Sequence, residues 1–154
     1  VSEDGARGRA WRLAGALCGL VVALDQGAKA LVEAHLVPGE DVEVLGPFGL
    51  TLTHNSGVAF GLASGGGTRL VLLTAVALLV VGYVFARNPT RTGMWVAAGL
   101  LAGGALGNLA DRVRADAVTD YVQIGSWPAF NLADVAVTAG VLLLALAYTR
   151  GPTK

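Results

Sequence analysis

Charge is what this sequence has least of. Only 14% of its 154 residues are Asp, Glu, Lys or Arg, while 54% are hydrophobic. A soluble domain carries about a quarter charged residues. The 11 basic and 11 acidic side chains cancel, so no net field draws nucleic acid or an acidic partner. A single cysteine, Cys18, excludes an internal disulfide. The only histidines, His35 and His54, are far apart in sequence and have no partner at metal-ligand spacing, so no metal site is expected. Gly65-Gly66-Gly67 has too little pattern for a phosphate loop. No cofactor is implied, and no serine or cysteine nucleophile is paired with a base.

What is present is apolar length. Residues 1–9 are polar and are expected to form a disordered cytoplasmic tail. Four stretches then have the length and composition of membrane spans: about 10–34, 68–86, 93–111 and 130–149. The 22 glycines sit largely inside these runs, where they permit close helix packing in a membrane. Arg7, Arg9 and Arg12 before an apolar run that holds Cys18 have the outline of a lipoprotein signal. Bulky Leu17 stands where that signal needs a small residue, and the run continues past the cysteine, so the helix reading stands. Residues 36–67 form a non-helical insert. Val42–Leu45 and Leu50–Thr53 flank Gly46-Pro47-Phe48-Gly49 as two strands flank a turn. Asn55 and Gly57 suit a second turn, Phe60 and Leu62 can rest on the bilayer, and the triple glycine is a flexible join.

Basic residues set the orientation. Arg7, Arg9, Arg12, Arg87, Arg91, Arg150 and Lys154 fall on the N-terminus, the 87–91 loop and the C-terminus, which four spans place together on the cytoplasmic side. Nearly all the acids then lie toward the outer face. The two halves of the chain do not repeat and show no paired broken helices, which weighs against a transporter.

The densest polar stretch runs from Gly107 to Asp134, between two apolar segments. Such groups are costly near hydrocarbon and mark function. Asn108, Asp111 and Arg112 share a helix face, and Asp111 is read as compensating a nearby arginine. Asp25 and Lys29, four apart on the first span, are read as a structural ion pair. Asp116 is read as solvated. Asp120 lies in AVTDYVQI, which can be extended against the membrane. Asp134 sits in the first turn of the last span; with Asn131 three residues earlier it also resembles a capping box. Two carboxylates brought together at low dielectric share one proton and so supply a base and an acid. The residue inventory best supports aspartic-type peptide hydrolysis by Asp120 and Asp134. The main alternative from another class is a proton-coupled small transporter, which predicts acids near mid-helix and repeated halves; a noncatalytic lipoprotein-binding or scaffold subunit is the second.

DQGAK at 25–29, NSGVAF at 55–60, GNLADR at 107–112, VTDY at 118–121 and FNLAD at 130–134 occur in this order between the apolar runs. Together they resemble signal peptidase II, the bacterial lipoprotein signal peptidase family. The resemblance implies an all-α integral membrane fold: four transmembrane helices in the cytoplasmic membrane, both termini cytoplasmic, and a small outer β-hairpin cradle. It implies removal of signal peptides from diacylglyceryl-modified prolipoproteins, cleavage just before the lipid-modified cysteine, and inhibition by globomycin. The expected partners are these substrates and membrane lipids, and the chain is expected to be a monomer. By motif match the catalytic pair is Asp120 and Asp134. Asn55, Asn108, Arg112 and Asn131 hold substrate and shape the site. Gly57 and Gly104 leave room for substrate, and Asp25, Lys29 and Asp111 support. The family commonly has glycine where this chain has Asp116, and VVDF where it has VTDY.

Overall fold

The computed structural model describes residues 2–57 and 66–149. Helix α1 covers Glu3–His35, β1 Asp41–Leu45, β2 Phe48–Asn55, α2 Gly66–Arg87, α3 Met94–Ala115, β3 Val118–Ile124 and α4 Leu132–Thr149. Phe60 and Leu62, read from the sequence as resting on the bilayer, lie outside the described residues, as do Arg150 and Lys154.

Helix α1 begins well before the apolar run. The Ser2 side chain accepts from the Gly5 N–H as N-cap, and Glu3 and Asp4 favour the first turn. Residues 3–9 are therefore helical, where a disordered tail was expected. Arg7 Nη2 donates to Ala86 O at 2.6 Å, tying this extension to a carbonyl at the end of α2. The triple glycine differs too: Gly66 and Gly67 are the first residues of α2 rather than a join.

Among the described residues, three helices are long and apolar enough to cross a membrane: Glu3–His35, Thr68–Arg87 and Leu132–Thr149. Helix α3 was expected to be a further span but does not meet that description. Its last two turns carry Asn108, Asp111, Arg112 and Arg114, which lower its hydropathy. It is instead the helix against which α1, α2 and α4 pack. Near the 87–91 end, Ala10, Ala14, Phe85, Met94 and Ala98 form a buried cluster, with the Trp11 and Phe85 rings 4.6 Å apart edge-on. Elsewhere α2 exposes Leu72, Leu73, Val76, Leu79 and Val80, as a lipid-facing helix does.

The sheet is antiparallel with order β1-β2-β3. Its hairpin turns at Gly46-Pro47; Phe48 and Gly49, also expected in the turn, already belong to β2 and pair with β1. The third strand is the AVTDYVQI stretch, which pairs with β2 so that Thr53 stands opposite Asp120 and Asn55 opposite Val118. After β3 the chain doubles back at once. Tyr121 N and Val122 N both donate to Phe130 O, at 3.0 and 2.8 Å, and Phe130 N returns a bond to Val122 O at 3.0 Å. That closure sets the start of α4 beside the middle of β3.

Asp116, read as a solvated loop residue, has a definite backbone task. It is the C-cap of α3 at φ 54°, in the left-handed region that favours glycine. Its N–H donates to Arg112 O at 3.0 Å.

Candidate active site

The site forms where β3, the start of α4 and the polar ends of α1 and α3 meet. Asp120, central in β3, is 3% exposed. Asn55 on β2 is its diagonal cross-strand neighbour, so both side chains share one face of the sheet. Asn55 Nδ2 donates to Asp120 Oδ2 at 3.0 Å, and Asn131 Nδ2 donates to Asp120 Oδ1 at 2.7 Å.

Asp134 is reached from the other side of Asn131. The Asp134 N–H donates to Asn131 Oδ1 at 2.9 Å, and Asn131 N–H donates to Asp134 Oδ2 at 3.2 Å. This reciprocal cap starts α4, as the Asn131–Asp134 spacing suggested. Asn108 Nδ2 on α3 donates to Asp134 Oδ1 at 2.8 Å. Each of the four carboxylate oxygens thus accepts one N–H, and Asn131, fully buried, bonds both aspartates. Asp134 is half-buried and opens onto an apolar groove of about 420 Å³ lined by Trp127, Phe130, Val135, Thr138 and Leu142.

Burial pushes the Asp120 carboxyl above its ordinary range. The Asn55 hydrogen bond opposes that shift, the charge of Asp134 adds to it, and Asn131 and Lys29 oppose it. Tyr121 is also raised, first by burial; its hydroxyl accepts the Leu132 N–H at 3.3 Å in the first turn of α4.

Beneath the pair lies a buried charge cluster. Lys29 is 3% exposed and forms the expected ion pair with Asp25 at 2.8 Å. It also pairs with Asp111 at 2.6 Å. That corrects the reading of Asp111 as the partner of a nearby arginine: the fold brings a lysine from another helix closer. The Arg112 side chain makes no hydrogen bond or ion pair among the described residues. Asp25 Oδ1 accepts the Ala133 N–H at 2.9 Å, an anion at the N-terminus of α4.

Sequence reasoning passed over three further participants. Gln26 Nε2 donates to Asp111 Oδ1 at 2.8 Å and to Gly107 O at 3.2 Å. Thr119 Oγ1 donates to Glu33 Oε1 at 2.7 Å, tying β3 to α1 just before Asp120. The signal for Gln26 and Glu33 was visible: Asp25, Gln26, Lys29 and Glu33 form a polar stripe on an apolar helix, with three of them at spacing four.

The two glycines have local reasons. Gly57 has φ 75°, and a Cβ there would stand 2.5 Å from Leu70 Cδ1. At Gly104 a Cβ would collide with the carbonyl of Ala133 and stand 2.8 Å from Val137 Cγ2. The crowding at Gly104 is therefore with α4 itself, one residue from Asp134.

Apolar helices around a hydrogen-bonded carboxylate pair, one buried and one half-buried, describe a membrane enzyme, and solved structures agree. A bacterial membrane enzyme structure obtained by the in meso method superposes with a TM-score of 0.82 at 32% identity, covering 94% of each chain. A second such structure gives 0.80, also at 32% identity, over 93% of this chain and 88% of that one. The family model for signal peptidase (SPase) II matches residues 17–150, and the chain belongs to that family. The lipoprotein signal peptidase of Pelotomaculum thermopropionicum is 41% identical over 138 residues, 88% of this chain and 90% of that one. That of Moorella thermoacetica is 39% identical over 127 residues, 81% and 85% of the two chains.

Proposed function

We propose that this protease removes signal peptides from prolipoproteins by aspartic-type hydrolysis on Asp120 and Asp134. The observation that carries the reading is the placement of both carboxylates on Asn131, with every oxygen oriented by an N–H. Asp120, whose carboxyl burial raises, holds the proton and is the acid; Asp134, at the mouth of the groove, is the base. A water lies between them and the scissile carbonyl. Asp134 takes one of its protons as the oxygen bonds to the carbonyl carbon and the C=O π pair moves onto the carbonyl oxygen. That pair then re-forms the C=O bond as the C–N bond breaks, and Asp120 gives its proton to the leaving nitrogen. Proton exchange with solvent restores the starting state.

The substrate class is a prolipoprotein carrying diacylglycerol on the cysteine after the cleaved bond. The apolar groove below Asp134 suits a signal helix that stays in the bilayer while its end reaches the pair. Asn55, Asn108 and Asn131 hold the carboxylates, and Arg112 is free to meet substrate. Helix α3, about 33 Å long by its 22 residues, spans the membrane beside α1 and α4. Both termini are cytoplasmic and the pair faces outward.

The test is cleavage of a diacylglyceryl-modified prolipoprotein by purified protein, read as a gel shift. Asp120→Asn and Asp134→Asn each lower the rate by about 10²–10⁴-fold while melting as cooperatively as the parent. Full activity in Asp134→Asn rejects the pair.

A further inference from the structure

Each asparagine at the site has its amide oxygen held by an N–H from elsewhere. Asn55 Oδ1 accepts the Gly57 N–H at 2.9 Å, and Asn131 Oδ1 accepts the Asp134 N–H at 2.9 Å. Both of those locks are main chain. Asn108 Oδ1 instead accepts from side chains: Lys29 Nζ at 3.0 Å and Asn131 Nδ2 at 3.2 Å.

The difference matters because an asparagine amide turned end for end exchanges acceptor for donor. A lysine ammonium only donates. The Asn108 atom facing Lys29 must therefore be the oxygen, which leaves the NH2 to face Asp134 Oδ1 at 2.8 Å. We infer that Lys29 is a positioning residue for the reaction: acting through Asn108, it fixes the direction of the amide that holds Asp134. The inference rests on the reading of Asp120 and Asp134 as the reacting pair.

Lys29 has no hydrogen left for substrate. Its three N–H groups match three acceptors: Asn108 Oδ1, Asp25 Oδ2 at 2.8 Å and Asp111 Oδ2 at 2.6 Å. Without the ammonium, Asn108 Oδ1 keeps only the longer 3.2 Å bond from Asn131 Nδ2, whose shorter bond at 2.7 Å goes to Asp120 Oδ1, and the Asn108 amide can turn. An amide oxygen would then face the Asp134 carboxylate, two acceptors with no hydrogen between them. Asp134 would leave the position from which it reaches the water.

The test is a cycle on purified full-length protein, with kcat and KM measured separately on the diacylglyceryl prolipoprotein. Lys29→Met alone leaves two buried carboxylates unbalanced, so it is combined with Asp111→Asn, which restores the cluster's net charge. Lys29→Met/Asp111→Asn lowers kcat by about ten- to a hundredfold with KM within about twofold. Asp111→Asn alone supplies the reference, and the double variant lies about fivefold or more below it in kcat. Asn108→Ala also lowers kcat, and adding Lys29→Met/Asp111→Asn to it lowers kcat no further, because the amide through which Lys29 acts is gone. Lys29→Gln/Asp111→Asn, which keeps an N–H donor toward Asn108, recovers part of kcat and gives a second comparison if the methionine variant does not fold. The inference is overturned if the losses multiply in the Asn108→Ala background, if the loss falls on KM, if Asp111→Asn alone accounts for it, or if glutamine restores nothing. Asp134→Asn run alongside separates the two ideas. Activity there overturns the aspartate pair itself; an inactive Asp134→Asn with multiplying losses overturns only the role of Lys29.

Discussion

Asp25 and Ala133 are 108 positions apart, yet the Asp25 carboxylate accepts the Ala133 N–H at 2.9 Å. A carboxylate on the first helix thereby holds the N-terminus of the last one, directly before Asp134. The same carboxylate is ion-paired to Lys29 and is fully buried. Asp25→Ala strips the helix start of its anion and removes one of the three acceptors around Lys29, which keeps its pair with Asp111. We expect a loss of about 3 kcal/mol, read as a lower unfolding midpoint in detergent micelles.

Asp120 links stability to pH. Burial raises its carboxyl in the folded chain, so the folded state binds more protons than the unfolded one above the unfolded value, about 4. Its contribution is full below that value and is lost as pH rises through the folded value. The melting temperature should therefore carry a downward slope from about pH 4 upward that Asp120→Asn removes. Thermal melts of parent and variant across that range check it; an equal slope in both contradicts the assignment. The same shift puts the fall of activity on the alkaline side, where Asp120 loses the proton it must donate.

The left-handed backbone at Asp116 costs a non-glycine residue about 1 kcal/mol. Asp116→Gly should raise stability by about that amount and leave cleavage unchanged, since the side chain is exposed and makes none of the site's hydrogen bonds. Position 116 is thus one where the backbone favours glycine.

At Gly104 the prediction runs the other way. A methyl group there meets the Ala133 carbonyl and the Val137 side chain, so Gly104→Ala pushes α3 and α4 apart beside Asp134. Overpacking of this kind costs about 1–3 kcal/mol. Activity should fall by more than the loss of folded protein explains, because Asn108 and Asp134 sit on the two helices being separated. Specific activity per folded molecule is the measurement.

Some of this was legible along the chain. The hairpin about Gly46-Pro47, the Asp25–Lys29 pair and the Asn131–Asp134 cap are local, within about five residues, and local rules found them. The helical start at Glu3 was missed although Ser2, Glu3 and Asp4 form a cap signal, because polarity was read as disorder. The partner of Asp111 was missed for another reason: its neighbours in sequence include two arginines, while its ion-pair partner comes from a different helix.

The sequence by itself determined that this is a membrane protein of the signal peptidase II family, because hydropathy, motif order and helix caps are properties of short segments. Only the tertiary structure decided that β3 completes the sheet, that α3 is the hub of the bundle, and that Asn131 and Asn108 join the two aspartates to one another and to Lys29. Those relations depend on which elements pack together, and packing is fixed by the sum of many distant contacts that no single stretch of chain contains.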